Sequence, residues 1–295
     1  MKRSLRLRAL TFGMRYLVKP KLARSGTPET AFRDFERVAP LLFSTPKGTT
    51  SSQDGPSLRV EVGTPYPNRA VLYLHGGAFV CGSVRSYRAM AARLAKRSKA
   101  AVFLVDYPLL QQDTFPAAPD FALAAWDHLI ATGWAPHQIA IAGDSAGGNL
   151  AFGLLAQVLA RGQRPAAALG FSPWGDMTLS GETITDHMEI DPLLPVGRMQ
   201  EVVDLYLDGA DPKDPKASPV FAQFPDPPPV LIQVGANEVL LSDCKRLAEL
   251  TGATLDIWPH VPHVWQIFDA RLPEANDAMR KASAFLQSSF ESARR

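Results

Sequence analysis

From residue 70 onward, short runs of apolar residues alternate with segments in which apolar residues recur every three or four positions. The runs at 70–74, 101–105, 139–142, 166–171, 230–234 and 254–258 are almost continuously apolar. That pattern predicts strands buried on both faces of a sheet. Helical spacing predicts helices at 85–99, where Tyr87, Met90, Ala91 and Leu94 share a face, and at 121–130, 149–160 and 274–290. Strands and helices in alternation give an α/β fold with a mostly parallel sheet flanked by helices. Residues 1–50 read as helices set apart from this body, with a loop at 44–56. Residues 175–228 interrupt the alternation: they are rich in Asp and Pro, with one helical pattern near 199–207. An insertion placed after a strand predicts a lid or a pocket wall. The chain thus divides into an N-terminal helical segment, 1–50, and a body, 51–295, that carries the insertion.

Composition narrows the class. The chain has 295 residues, 46% apolar and 20% charged, as in ordinary globular proteins. No apolar run approaches the roughly 18 residues of a membrane span. Two cysteines, Cys81 and Cys244, cannot form a disulfide framework, and no secretory leader pattern is visible, so a cytoplasmic location is expected. The net charge of +2 is uneven: residues 1–28 carry eight basic residues and no acidic one, leaving 23 basic against 29 acidic in the rest. No nucleic-acid partner is expected of such a body. Leu5, Leu7, Leu10, Phe12, Met14, Tyr16, Leu17 and Val18 interleave with the N-terminal basic residues. Such a segment can lie on an anionic membrane surface. The preferred reading is a cap helix whose apolar side rests on the body while its arginines stay solvated.

The chemistry is concentrated where predicted strands end. Strand 139–142 runs into Gly143-Asp144-Ser145-Ala146-Gly147, a G-x-S-x-G turn followed by an Ala/Leu-rich helix. In that context the serine sits on a sharp, strained turn that exposes its hydroxyl above the sheet. A serine nucleophile needs a base, an orienter for the base and donors for an oxyanion. His75-Gly76-Gly77-Ala78-Phe79 follows strand 70–74, so the N–H groups of Gly77 and Ala78, with that of Ala146, are the expected donors. His75 reads as a residue that orients this loop. Strand 230–234 leads to Glu238, preferred as the acid over Asp243, which lies deeper in the next helix. Strand 254–258 leads to His263, preferred as the base over His260 at the strand end. A metal held by His260 and His263 is disfavoured for want of a third ligand. Phe79, Trp174 and Met177 are candidate pocket residues. His128, His137 and His187 carry no functional signal.

Together these residues resemble the bacterial hormone-sensitive-lipase family of α/β-hydrolases over residues 65–290. The matching motifs are His75-Gly-Gly-Ala-Phe-Val-Cys-Gly-Ser83, Asp106-Tyr107, Phe115-Pro-Ala-Ala118, Gly143-Asp-Ser-Ala-Gly-Gly-Asn149 and Ser172-Pro-Trp-Gly-Asp176. Downstream come Ala217-Ser-Pro-Val220, Ile232-Gln-Val-Gly235 with Glu238, and Pro262-His-Val-Trp-Gln266. The resemblance implies a carboxylesterase for short acyl chains, with no metal or organic cofactor, and a cap made of the N-terminal helices and the 175–228 insertion. It is similar to the subgroup with a Glu acid, which includes monoterpene lactone hydrolases. Two departures stand out: Ala78 where the family has a third glycine, and Pro108-Leu-Leu-Gln-Gln112 where it has an arginine and a glutamate. The expected reaction is attack by Ser145, with His263 as base and Glu238 as its orienter. A lactone hydrolase with the same triad, or a non-catalytic small-molecule binder, are the alternatives. A homodimer is compatible with the sequence.

Overall fold

The computed structural model describes residues 3–24 and 26–293, so Lys2 of the basic segment lies outside the described residues. The order of elements is α1 (Leu5–Gly13), a π-helical turn at Met14–Val18, α2 (Lys19–Ala23), α3 (Pro28–Leu42), β1 (Thr49–Asp54), β2 (Ser57–Val62), β3 (Ala70–Leu74), α4 (Val84–Ser98) and β4 (Ala101–Val105). There follow α5 (Ala117–Ala131), β5 (Ile139–Asp144), α6 (Ser145–Ala160) and β6 (Ala167–Phe171). The insertion carries α7 (Glu182–Asp186) and α8 (Val196–Leu207), and the chain closes with β7 (Val230–Gly235), α9 (Leu241–Thr251), β8 (Thr254–Trp258) and α10 (Pro273–Ser292).

The eight strands form one sheet in the order β1-β2-β4-β3-β5-β6-β7-β8. From β4 to β8 every pairing is parallel, and β1 and β2 join antiparallel at one edge. The β1–β2 hairpin is the main departure from the sequence reading, which has 44–56 as a loop. Its first strand, Thr-Thr-Ser-Ser-Gln-Asp, is polar throughout and mostly exposed at the sheet edge, so it lacks the apolar run by which the other strands announce themselves. β1 also straddles residue 50, so the sheet begins at Thr49.

Side chains alternate across the sheet, as strand geometry requires. Leu72, Leu74, Phe103, Ile139 and Ile141 pack on one face with α5, α6, α8 and α9. Val71, Tyr73, Val102, Leu104 and Ala140 pack on the other, beneath α4 and α10. The insertion joins the first of these cores through Ile184, Met199, Val203 and Tyr206, so it is packed structure, not a loose connection.

In the N-terminal segment, α3 packs on the body through Phe32 and Phe35, whereas α1 is held chiefly through Leu7. Leu7 of α1 sits among Trp258, Val261, Trp265, Leu272, Ala275 and Ala278. Ser4, the N-cap of α1, donates to both carboxylate oxygens of Glu274 at 2.8 and 2.9 Å. A buried Leu→Ala change costs about 2–5 kcal/mol. Leu7 is the one buried residue of α1, so that loss exceeds what its few other contacts supply and is absorbed by local opening. Leu7→Ala is therefore expected to speed limited proteolysis within residues 5–13 by about tenfold or more while the Tm of the body stays nearly unchanged. A lowered Tm with unchanged cleavage would show that α1 unfolds only with the whole chain.

Candidate active site

All the predicted reactive loops leave the C-terminal ends of neighbouring parallel strands, the position where open α/β sheets bind ligands. β5 lies between β3 and β6, with Gly143 opposite both Leu74 and Gly170. One step beyond, Ser145 adopts φ 52°, a left-handed conformation strained for a residue with a side chain. α6 starts at this residue, so the Ala146 N–H belongs to the first turn, where helical N–H groups have no intrahelical partner.

The serine, histidine and glutamate are brought into one chain of hydrogen bonds. His263 Nε2 lies 2.8 Å from Ser145 Oγ, and His263 Nδ1 lies 2.6 Å from Glu238 Oε2. Glu238 is fully buried, and its other oxygen, Oε1, accepts from Ser172 Oγ at 2.8 Å and from the Gly235 N–H at 2.5 Å. The carboxylate therefore accepts the His263 Nδ1–H and leaves Nε2 free to accept the serine hydroxyl proton. Burial acts to lower the His263 pKa, but the Glu238 charge and hydrogen bond outweigh it. Asp191 and Asp144 add to their effect, and the net value lies above the ordinary 6.5. Both ring nitrogens are taken, which leaves none for the His260–His263 metal reading.

Asp243, the alternative acid, is placed elsewhere. Its Oδ2 accepts from the backbone N–H groups of Gly175 and Asp176 at 3.0 and 3.1 Å, where it holds the start of the insertion. Burial, aided by the Asp176 charge, pushes its carboxyl up to about 8. His260 is exposed.

The 75–79 loop is shaped by backbone constraints. Gly77 has φ +126°, and a Cβ there would lie 1.9 Å from Cys81 O, so no side chain fits. Ala78 and Phe79 follow at φ 56° and 58°. His75 is buried, donates from Nδ1 to Gly76 O at 2.9 Å and stacks on Tyr107 with centroids 4.4 Å apart. Burial lowers its pKa to about 4, so it is neutral and orients the loop. Phe79, Trp174 and Met177 are all buried: Phe79 stacks on Tyr206 at 3.9 Å, and the Trp174 N–H donates to Ser145 O at 3.0 Å. At the departure in 108–112, Gln111 Nε2 donates to Val80 O at 2.7 Å and to Pro28 O at 3.0 Å, tying the loop to the start of α3.

Two sets of positioning groups escaped the sequence reading. The first is Asp144, whose Oδ1 accepts from Tyr73 Oη (2.8 Å) and the Gly76 N–H (3.0 Å), and whose Oδ2 accepts from Tyr87 Oη (2.8 Å). A charged residue ending a fully apolar strand was the available signal. The second is a clamp from the insertion onto the Glu238 loop. His187 Nδ1 donates to Glu238 O at 2.9 Å, Asp191 Oδ2 accepts from the Val239 N–H at 3.0 Å, and Thr183 Oγ1 donates to Val239 O at 2.7 Å. Nothing in the sequence pattern marks these three.

Known proteins share the fold and match most of the chain. A family model described as alpha/beta hydrolase fold matches residues 71–267. An acetyl-hydrolase of Streptomyces hygroscopicus is 37% identical over 225 residues, 74% of this chain and 75% of that protein. An esterase of Acinetobacter venetianus is 35% identical over 226 residues, covering 74% of each. Among solved structures, the esterase EstE5 soaked with ethyl alcohol superimposes with a TM-score of 0.91 at 32% identity, covering 98% of this chain and 100% of that one. An esterase from the bacterial hormone-sensitive lipase family gives the same TM-score, identity and coverage.

Asp144 generates a signed prediction. Burial pushes its carboxyl up from 3.8 to about 6, against three hydrogen bonds that lower it. Between these values the folded chain binds more protons than the unfolded one, so this group's contribution to stability rises as pH falls. Asp144→Asn removes that dependence. It also leaves one of three donors without an acceptor, at a cost of about 1–3 kcal/mol. Urea denaturation is expected to show the wild type more stable than Asp144→Asn at pH 7, by a margin that widens toward pH 4. A margin that is flat or shrinks toward acid would refute the assignment.

Proposed function

The chain belongs to the α/β-hydrolase family and is an esterase of its bacterial hormone-sensitive-lipase branch; we propose that it cleaves short-chain acyl esters through a triad of Ser145, His263 and Glu238. The observation that carries this reading is the unbroken chain Ser145 Oγ, His263 Nε2, His263 Nδ1, Glu238 Oε2, at 2.8 and 2.6 Å. Ser145 Oγ attacks the ester carbonyl carbon as His263 Nε2 takes its proton. The tetrahedral oxyanion is held by the N–H groups of Gly77, Ala78 and Ala146, each such donor contributing about 10²–10³ in rate. Collapse breaks the carbon–oxygen bond to the leaving alcohol, which receives the proton from His263. Water, deprotonated by the same nitrogen, then releases the acid from the acyl-serine. Glu238 keeps His263 in the tautomer that can act as base and stabilises its cationic form.

We assign residues 1–50 and 175–228 to a cap over this site and the rest of 51–295 to the catalytic body. Hydrogen bonds between the two cap segments support that division: Arg15 donates to Ile190 O, and Lys19 donates to Met188 O and Asp191 O. The buried, mutually packed rings of Phe79, Tyr206 and Trp174, the last bonded through its backbone N–H to Ser145 O, favour small acyl groups, and the methyl of Ala78 narrows the alcohol side. Cys81 and Cys244 are unpaired, which suits a cytoplasmic location.

Hydrolysis of p-nitrophenyl esters from acetyl to dodecanoyl tests the reading. The wild type is expected to prefer the short esters and Ser145→Ala to lose at least about 10³-fold in kcat/KM. Activity that survives in Ser145→Ala would reject the serine mechanism, and an optimum at dodecanoyl would reject the small acyl pocket.

The acid is tested by pairing Glu238→Gln with Asp243→Asn. The amide of Glu238→Gln can donate to Nδ1 and so favours the wrong tautomer, with kcat expected to fall about 10³–10⁴-fold. Asp243→Asn keeps an acceptor for Gly175 and Asp176, and kcat should stay within about tenfold. Because only unprotonated His263 accepts a proton, kcat/KM of the wild type falls as pH drops through a value above 6.5. In Glu238→Gln the residual activity should show this limb at lower pH, since the stabilising charge is gone. An unmoved limb would mean that Glu238 does not face the base.

A further inference from the structure

The N-terminal helix keeps Arg3, Arg6 and Arg8 exposed, as expected of a cap, but it turns only part of its apolar side toward the body. Leu7 and Met14 do point inward. A second apolar stripe points out: Leu5 is 78% exposed, Phe12 64%, Tyr16 59% and Leu17 71%. Leu5, Phe12 and Tyr16 follow one line of the helix surface at spacings of seven and four. The Phe12 and Tyr16 rings touch each other, with centroids 4.7 Å apart, and both stay more than half exposed at the edge of a groove against the body. A contiguous exposed apolar patch of this kind marks a surface that meets a partner.

The charge around the stripe says which partner. Arg6 and Arg8 flank it on α1, and no acidic residue occurs among residues 1–28. Beneath it runs a groove of about 360 Å³ whose lining includes Arg3, Arg8, Arg15, Tyr16, Asn237 and His260, with no carboxylate. A neutral ester needs no such cations. A second copy meeting this face by two-fold symmetry would set the same basic segment against itself. Among the described residues no helix is long and apolar enough to cross a membrane, so a lipid contact here would be interfacial.

We propose that the N-terminal helix lies on an anionic phospholipid surface, with Leu5, Phe12, Tyr16 and Leu17 in the acyl boundary and lipid phosphates against Arg3 and Arg8. Hydrophobic insertion and phosphate attraction act together, as stable interfacial binding requires. The far wall of the groove is formed by Asn237, His260 and Val261, from the loops that carry Glu238 and His263, so the docked face adjoins the reactive end of the sheet.

The test is co-sedimentation of the full chain with phosphatidylcholine vesicles, with and without phosphatidylglycerol, at low and high salt. The wild type is expected to pellet with the anionic vesicles, at least about tenfold better than with neutral ones, and less at high salt. The double changes Phe12→Ser with Leu17→Ser, and Arg3→Glu with Arg8→Glu, should each lose this binding by about tenfold or more. Both should keep hydrolysis of soluble p-nitrophenyl acetate and the far-UV circular dichroism of the wild type, which separates lost docking from lost folding. The proposal is overturned if the wild type stays in the supernatant, pellets equally with neutral vesicles, or is matched by either variant. It is also overturned if the wild type is a dimer that Phe12→Ser with Leu17→Ser converts to a monomer, since a second copy then covers the stripe.

Discussion

The start of α6 lies in direct contact with the end of β3, and the rest of the site depends on that contact. A methyl group on Gly147 would lie 2.1 Å from Leu74 O and 2.2 Å from His75 O. Leu74 O ends a central strand and cannot move aside without breaking the β3–β5 ladder, and His75 O opens the loop that follows it. With no side chain at this position, the first turn of the helix and the 75–79 loop leave the sheet side by side. The Ala146 N–H and the Gly77 and Ala78 N–H groups then belong to one short stretch of surface. The Asp144 carboxylate locks the arrangement from below by accepting from Gly76 on one side and from two tyrosines on the other. The strain at Ser145, with φ 52°, persists because the packing of these elements determines it.

The same physics separates two buried carboxylates that lie five positions apart. Glu238 has a hydroxyl, a backbone N–H and an imidazole around its oxygens, and it orients the histidine. Asp243 is equally buried but accepts from two backbone N–H groups, and burial with the like charge of Asp176 outweighs these and the Arg246 charge, pushing its carboxyl up to about 8. One carboxylate serves the reactive chain and the other holds the insertion at its root. The acid loop is also clamped from outside by Thr183, His187 and Asp191. That clamp is itself held through the backbone carbonyls that receive Arg15 and Lys19. A continuous set of contacts thus runs from the N-terminal helix to the side chain facing His263, and forces acting on that helix have a short path to the acid.

Much of this was legible in the chain. The buried strands 70–74, 101–105 and 230–234 are read within a residue at either end, because a strand buried on both faces has to be apolar at nearly every position; the edge strand 254–258, with only Trp258 buried, is read from its Leu, Ile and Trp alone. The candidate reactive residues could be named because each chemical role demands a residue type at a strand end. The edge hairpin was missed because an exposed, polar edge strand needs no apolar pattern and is defined only by the neighbour to which it bonds. The clamp residues were missed because a histidine or threonine that bonds a distant backbone group looks the same in sequence as one that faces water.

What the sequence by itself determined is the local part: the alternation of strand and helix, the strained turn at Ser145, the glycine-built loop at 76–77 and the order of serine, acid and base. These follow from short-range sterics and hydrophobic period, which act between residues close in the chain. The tertiary structure alone decided that Asp144 and the insertion brace the two loops, and which way the N-terminal helix faces. Its leucines and arginines alternate so closely that either side could have been buried. Contact with Trp258 and Trp265, some 250 residues away, turned Leu7 inward and left Phe12 and Tyr16 outside. Such choices depend on which surfaces meet in space, and no local pattern carries that information.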